Sequence, residues 1–473
     1  MVFPSCHKSL KKRGQPPNVI LIVSDDQGWT DAGFLGSTYY LTPALDALAA
    51  DGITFTQGYA NAPNCAPSRA CLLTGLYGPR HGIYTVNSSA RGKPEHRKLI
   101  PVENKTILDS SFVTIAEVMN DYGYATISVG KWHLGDETTP EIQGFDHNIG
   151  GYQLGHTKSH FSPYQNPALE DGPEGEYLTD RLTDEAIGFI RGHHDIPFFL
   201  YLPHYAVHTP IQGKDSLVAW YLQQTPGDHH NHPEYASMIS SLDENIGRII
   251  RELERLGLRE NTLVIFLSDN GGHASYTSQY PLRGGKGMLY EGGIRVPFLF
   301  SWPGHIKSGI ISDYPIIGTD VFPTILDLIG AAPPRNMVMD GVSLKELLLK
   351  EKTPDLRPLF WHFPAYLERY RGHPDVWRTT PVSAIRYGDW KLIEFFEDGT
   401  LELYNLRQDI GEHHNLIQEY PEKSLELVTI LRNWQAETGA FIPTQSNPGF
   451  LQDSLDQARA RIQESMSEDI YRP

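Results

Sequence analysis

The sequence predicts an α/β protein: a large mixed, mainly parallel sheet sandwiched by helices, with a small C-terminal α+β subdomain. Three observations predict it. Over residues 15–352, uniformly apolar runs alternate with helix-period segments, the pattern of parallel strands joined by crossover helices. After about Lys352 the runs shorten and are separated by Gly388-Asp389 and Glu397-Asp398-Gly399, the pattern of an antiparallel meander. The 473 residues, 40% apolar and 11% aromatic, suffice for a sizeable core and exclude a wholly disordered chain.

The elements follow in order. Asn18–Ser24 (NVILIVS) reads as a strand buried on both faces. Thr42 caps a helix running to Ala50, with Pro43 in its first turn and Gly52 beyond its end. A helix over Phe112–Asp121 leads into a strand at Ala125–Val129, and one over Leu178–Arg191 into a strand at Pro197–Leu202. Met238, Leu242, Ile246, Ile249, Ile250 and Leu253 recur at helical spacing, so Glu234–Leu256 forms a helix that stops at Gly257 and feeds the strand Thr262–Ser268. Val296–Ser301 reads as a strand and Val321–Ile329 as a helix. Within residues 353–445, the strands Ser383–Tyr387, Trp390–Phe396 and Leu401–Tyr404 build a small sheet, followed by a helix at Pro421–Thr438. Residues 446–473 read as a polar tail, partly helical around Leu451–Met466.

Forty Lys+Arg against 57 Asp+Glu leave a formal charge of −17, which argues against a general nucleic-acid or anionic-membrane binder. Three cysteines (Cys6, Cys65, Cys71) cannot make a disulfide framework. No apolar run reaches the length of about eighteen residues that a membrane span needs. Met1 to Gly14 is polar and basic with no apolar core, so no signal peptide is expected there and the compartment is not readable from that end.

Two strands end alike, as Ser24-Asp25-Asp26-Gln27-Gly28 and Ser268-Asp269-Asn270-Gly271-Gly272. Sites in open α/β sheets gather beyond the carboxyl ends of the strands. Three carboxylates and an amide oxygen there form a hard, oxygen-only donor set suited to Ca²⁺ or Mg²⁺. Either pair alone is adequately explained as a turn former; the repetition favours a site. Between these pairs lies Asn64-Cys65-Ala66-Pro67-Ser68-Arg69-Ala70-Cys71-Leu72-Leu73-Thr74-Gly75. Pro67 fits a first helical turn and Gly75 a helix end, which puts Cys65 at a helix N-terminus where an anion is favoured. Cys71 reads as a packed thiol.

Cys-x-Pro-Ser-Arg followed by Leu-x-Thr-Gly resembles the signature of the type I, formylglycine-dependent sulfatases of the alkaline phosphatase superfamily. Pro17–Gly28, Thr42–Ala60, Gly130-Lys131-Trp132-His133-Leu134-Gly135, His208-Thr209-Pro210, Ser268–Gly272 and Arg283–Pro297 are similar to the same family in the expected order, and Tyr404–Leu416 more weakly. The resemblance implies an alkaline-phosphatase-like fold and a periplasmic or secreted setting. It implies that a maturation enzyme converts Cys65 to formylglycine. Asp25, Asp26, Asp269 and Asn270, with residue 65, would bind one divalent cation, calcium or alternatively magnesium. Arg69 would hold residue 65, Lys131 and Lys286 would neutralise sulfate oxygens, His133 would contact the hydrated aldehyde, and His208 would serve the leaving-group oxygen. Taken singly, Lys131 and His133 could equally be solvated strand-end residues, His208 a turn residue and Lys286 part of an exposed glycine-rich loop.

The expected activity is hydrolysis of a sulfate monoester on a sulfated carbohydrate. The rivals are a phosphonate monoester or phosphodiester hydrolase of the same superfamily, and a non-catalytic glycan-binding protein that retains the Cys65 thiol. Trp361–Arg378 interleaves aromatics with His362, Arg369, Arg371, His373 and Arg378, and suits either a glycan cleft or a segment packing the small sheet. Asp228-His229-His230-Asn231-His232 reads as a surface loop rather than a metal tract. His156 and His160 lie in a loop that can reach the pocket.

Overall fold

The computed structural model describes residues 16–458 and 460, apart from 228, 371 and 372. Its centre is an eight-stranded sheet in the order His147–Ile149, Ala125–Val129, Phe198–Pro203, Asn18–Ser24, Thr262–Ser268, Phe298–Ser301, Gly52–Phe55, Ile310–Ser312. Every pairing is parallel except the two made by Phe298–Ser301. Successive side chains of a strand leave opposite faces, so Asn18–Ser24 feeds two cores. Val19, Leu21 and Val23 pack with the helices Cys65–Thr74, Ile115–Asp121 and Val321–Ile329. Ile20 and Ile22 pack with Pro43–Ala50, Leu178–Gly192 and Pro233–Arg255.

A four-stranded antiparallel sheet, Leu359–Phe363, Val382–Tyr387, Trp390–Phe395 and Leu401–Asn405, carries the helix Pro421–Thr438. Phe360 stacks on Trp434 at 4.7 Å, and the same core takes in Tyr59, Ile294 and Ile317, which anchors the small sheet to the large unit. No helix among the described residues is long and apolar enough to cross a membrane.

Most boundaries fall within a residue or two of expectation, and the departures have local causes. The helix expected from Phe112 starts at Ile115, because Thr114 and Glu117 form a capping box. The strand expected from Val296 starts at Phe298: Val296 N–H goes to Gly58 O, and Pro297 has no N–H to give the ladder. Thr42 precedes its helix, but its hydroxyl bonds Asp46 and accepts from Gly33 N rather than capping the first turn. Trp361 belongs to an edge strand, 1% exposed, with Nε1 donating to Ala60 O at 2.8 Å, so that end of the aromatic segment packs the small sheet. Residues 452–458 of the tail are helical. Cys6, Asp228, Arg371, Met466 and the side chains of Arg369 and His373 lie outside the described residues.

Candidate active site

Four neighbouring parallel strands deliver the site at their carboxyl ends. Asn18–Ser24 and Thr262–Ser268 run in register, Ser24 opposite Ser268, so Asp25-Asp26 and Asp269-Asn270 emerge side by side. Ala125–Val129 ends two residues before Lys131, and Phe198–Pro203 leads into His208. Asp26 sits at φ 61°, a left-handed conformation that Asp tolerates, and this turn aims consecutive carboxylates at one point. Asp26 N–H donates to Asp269 Oδ1 at 3.3 Å.

Cys65 is the first residue of a helix whose every residue is buried, and Gly75 ends that helix in the left-handed region at φ 70°. Arg69, one turn on, shares the Cys65 face. Its Nε and Nη2 reach Asp269 Oδ2 at 2.9 and 2.7 Å, and its Nη1 donates to Lys131 O at 3.0 Å. The Cys65 thiol donates to Asp25 Oδ1 at 3.6 Å, and Lys286 Nζ lies 3.4 Å from Sγ. Lys131 Nζ meets Asp25 Oδ2 at 2.5 Å, and Lys286 Nζ meets Asp26 Oδ1 at 2.6 Å. His208 Nε2 stands 3.7 Å from Asp26 Oδ2, while its Nδ1 is held by Thr209 O at 2.8 Å. Nine of the ten expected residues therefore converge through direct contacts, and His133 follows Lys131 by two positions with no described side-chain contact to them.

The solvated alternatives fail for the cations. The Lys131 side chain is fully buried and that of Lys286 only 12% exposed. Burial works against the charge of Lys286, but Asp26 and Asp25 outweigh it and hold the ammonium firmly protonated. Burial likewise opposes ionisation of Asp26, yet Lys286, His208 and Lys131 together hold its carboxyl well below the carboxylate range. Asp25 goes the other way, raised by burial and by Asp269 beyond what Lys131 offsets. Burial and the surrounding cations push His133 down.

Donor atoms of Asp25, Asp26, Cys65 and His208 all lie within 4.8 Å of one another. Asn270 Nδ2 donates to Asp26 Oδ1 at 2.8 Å, which leaves its buried Oδ1 with no partner among the described residues. An orphaned amide oxygen beside buried carboxyl groups is the donor set of a hard cation.

His133 sits at φ 64°, its buried Nδ1 lacks a described partner, and its ring lies flush against Gly155. A Cβ on Gly155 would stand 2.1 Å from His133 Cε1. Gly155→Ala should therefore displace the imidazole and lower kcat/KM by about 10²-fold, with little change in Tm. Steady-state kinetics beside a thermal melt check this.

Cys71 is packed as expected: its Sγ lies 3.4 Å from His81 Nε2, with burial pushing the thiol up and the imidazole down to about 3, a neutral pair. His160 is buried beneath His208, Nε2 against His208 O at 3.0 Å, whereas His156 is exposed. Arg378, on the strand His373–Thr379, donates to Lys286 O at 3.4 Å, so the far end of the aromatic segment does reach the site.

Two contributors escape the sequence reading. His273 follows the Asp-Asn-Gly-Gly turn directly and feels Asp26, Arg378, Lys286 and His208; its adjacency to that motif was the available signal. Asp31 is fully buried and gathers Gly28 N, Tyr235 Oη, Thr277 Oγ1 and His230 Nε2 at 2.8, 2.6, 2.7 and 3.3 Å. Nothing local marks it, since its partners are up to 246 positions away.

Comparison with known proteins agrees with this geometry. The family model described as Sulfatase matches residues 17–331, and that described as N-sulphoglucosamine sulphohydrolase, C-terminal, matches residues 285–436. A protein named sulfatase from Formosa agariphila is 34% identical, covering 91% of this chain and 90% of its own. The N-acetylgalactosamine-6-sulfatase of Homo sapiens is 33% identical over 91% of this chain and 87% of its own. Among solved structures, Ps i-CgsB in complex with k-i-k-neocarrahexaose superposes with a TM-score of 0.75 at 30% identity, covering 91% of this chain and 95% of that one. With two thirds of its length under one family model and its strand ends converging on one buried thiol, the chain belongs to the sulfatase family and is a sulfuric-ester hydrolase.

Proposed function

We propose that this chain hydrolyses a sulfate monoester on a sulfated carbohydrate, with residue 65 as nucleophile after a maturation enzyme has converted Cys65 to formylglycine. The observation that carries it is the seat of Cys65, at the head of a buried helix between Asp25 Oδ1 at 3.6 Å and Lys286 Nζ at 3.4 Å. The carbohydrate follows from relatives named N-acetylgalactosamine-6-sulfatase and from a neighbour crystallised with a neocarrahexaose.

A sulfate monoester resists attack because its oxygens repel nucleophiles. Lys131, Lys286, Arg69 and the free N–H groups of the Cys65 helix offset that repulsion where charge develops. Asp25, Asp26, Asp269, Asn270 and residue 65 would hold one calcium, or alternatively magnesium, which when bound withdraws charge from the sulfate oxygens and from residue 65. The hydrated aldehyde would supply one hydroxyl to accept the sulfuryl group and a second whose loss of a proton lets sulfate leave. His208, with Nδ1 engaged by Thr209 O, turns Nε2 to the site and handles the leaving-group proton there. His133 orients the hydrate, and Arg69 fixes Asp269 against the helix.

A screen of defined sulfated saccharides with sulfate release as readout tests the activity. Peptide mass spectrometry should find residue 65 lighter than cysteine by about 18 Da, the loss of H₂S and gain of oxygen. Elemental analysis should find one calcium or magnesium per chain, and stripping it with a chelator should lower turnover by at least about tenfold, restored by added cation. An unmodified thiol with full activity, or full activity in metal-free protein, would overturn the proposal.

A further inference from the structure

We propose that the groove between residues 229–232 and 274–284 binds the sugars next to the sulfated one, so that the natural substrate is an anionic oligosaccharide or polysaccharide chain rather than an isolated sulfated sugar. The inference rests on the function proposed above and deepens it.

The groove has the size and place for that role. It encloses about 610 Å³, within the range of small-molecule sites. One wall continues from the Asp269–Gly272 turn; the other ends at His232, the N-cap of Pro233–Arg255. That helix runs back to the strand Thr262–Ser268, so its N-terminus lies at the carboxyl ends of the parallel strands, the rim that carries the catalytic cluster. A row of rings joins the two regions. His232 and Tyr276 have centroids 6.0 Å apart, and Tyr276 and His273 5.2 Å. His273 follows Gly272, whose carbonyl accepts from Lys286 N–H at 2.9 Å. Ser275 N–H donates to His273 Nδ1 at 3.3 Å, which leaves Nε2 as the hydrogen-bearing nitrogen of the neutral ring.

The lining has the chemistry of glycan recognition. Tyr280 is 59% exposed, and the His229 ring lies against it, tilted by 35° with centroids 3.9 Å apart. Aromatic faces of this kind take the apolar C–H faces of sugars, while imidazole N–H groups bond hydroxyl and sulfate oxygens. The described lining residues include no Asp or Glu, although the chain as a whole carries −17; His229, His232, His413 and Arg283 are its titratable bases. A groove whose described lining carries no acid, on an acidic protein, favours an anionic ligand.

The groove is also preorganised. Asp31 holds both walls from beneath, His230 of one at 3.3 Å and Thr277 of the other at 2.7 Å. A preformed groove spares the ligand the entropy of ordering two loops.

The test compares wild type with Tyr280→Ala and Tyr276→Ala on 4-nitrophenyl sulfate and on chondroitin-sulfate- and carrageenan-derived di-, tetra- and hexasaccharides. Tyr280 is exposed, so its variant is expected to fold, and circular dichroism verifies this. Wild type should prefer the tetrasaccharide of its series to the disaccharide by about tenfold or more in kcat/KM. Tyr280→Ala should raise KM for the tetrasaccharide about tenfold while leaving kcat and the 4-nitrophenyl sulfate kinetics unchanged. Equal kcat/KM at every chain length, a Tyr280→Ala effect shared by 4-nitrophenyl sulfate, or turnover of 4-nitrophenyl sulfate with none of any oligosaccharide overturns the groove and leaves the sulfatase chemistry standing. Failure to turn over any sulfate ester, 4-nitrophenyl sulfate included, overturns the proposed chemistry itself.

Discussion

Replacing Cys65 by alanine is expected to cut sulfate release by at least about 10³-fold while leaving the fold intact, because the proposed nucleophile has no substitute in a site built around it. The separation of the two effects follows from the contacts. The thiol makes two weak bonds, donating to Asp25 Oδ1 at 3.6 Å and accepting from Lys286 Nζ at 3.4 Å, and its loss leaves a small gap rather than a broken network. The cost to stability should stay within about 1–2 kcal/mol, so the thermal melt moves by only a few degrees. Cys65→Ser is more informative still. A hydroxyl that escapes conversion can accept a sulfuryl group but has no second hydroxyl to release it, so this variant should yield at most one equivalent of product and accumulate a sulfate ester on the side chain at position 65, visible by mass spectrometry. Multiple turnovers by Cys65→Ala would place the nucleophile elsewhere.

The candidate cluster was legible in the sequence because each part lies on a short motif at a strand end or a helix start. Asp25-Asp26 and Asp269-Asn270 end strands whose apolar runs are unmistakable, and Cys65 and Arg69 open a helix bounded by Pro67 and Gly75. What lies around the cluster was not legible, for a physical reason: those residues act through partners distant in the chain. Asp31 joins Gly28 to Tyr235 and Thr277, whereas His160, which supports His208 across 48 positions, was expected near the pocket. The short edge strands His147–Ile149 and Ile310–Ser312 also escaped, since three residues carry too little pattern to distinguish a strand from a loop. The Trp361–Arg378 segment was divided correctly only by the structure: its start is an edge strand packed in the core, and Arg378 near its end touches the Lys286 loop.

Lys391→Met should be the most damaging substitution away from the catalytic cluster. Lys391 is fully buried between Glu291 Oε1 at 2.9 Å and Glu412 Oε1 at 2.8 Å, and both carboxylates are themselves fully buried. Burial pushes the Glu412 carboxyl up to about 7, against the pull of Lys391 and with the push of Glu291; Glu291, which also has Arg295 beside it, is held down to about 2 despite burial. Removing the ammonium leaves two carboxyl groups facing each other in the interior, a loss of about 3–5 kcal/mol. The damage should reach the site. Glu291 N–H donates to Glu412 Oε2 at 2.7 Å, and the turn that Glu291 begins supplies Gly293 O to Gly271 N at 3.0 Å and Gly292 N to Arg283 O at 2.8 Å. One turn therefore braces both the residue after Asn270 and the loop that carries Lys286. The stability loss should be larger at about pH 8 than at about pH 5, because without Lys391 the buried carboxyls bind protons more readily in the folded chain, and acid then removes part of the uncompensated charge. Adding Glu412→Gln to Lys391→Met should recover part of the loss at the higher pH. Urea unfolding at the two pH values, with turnover measured alongside, checks each step; a loss under about 1 kcal/mol at both would show that the lysine merely fills space between groups already neutral.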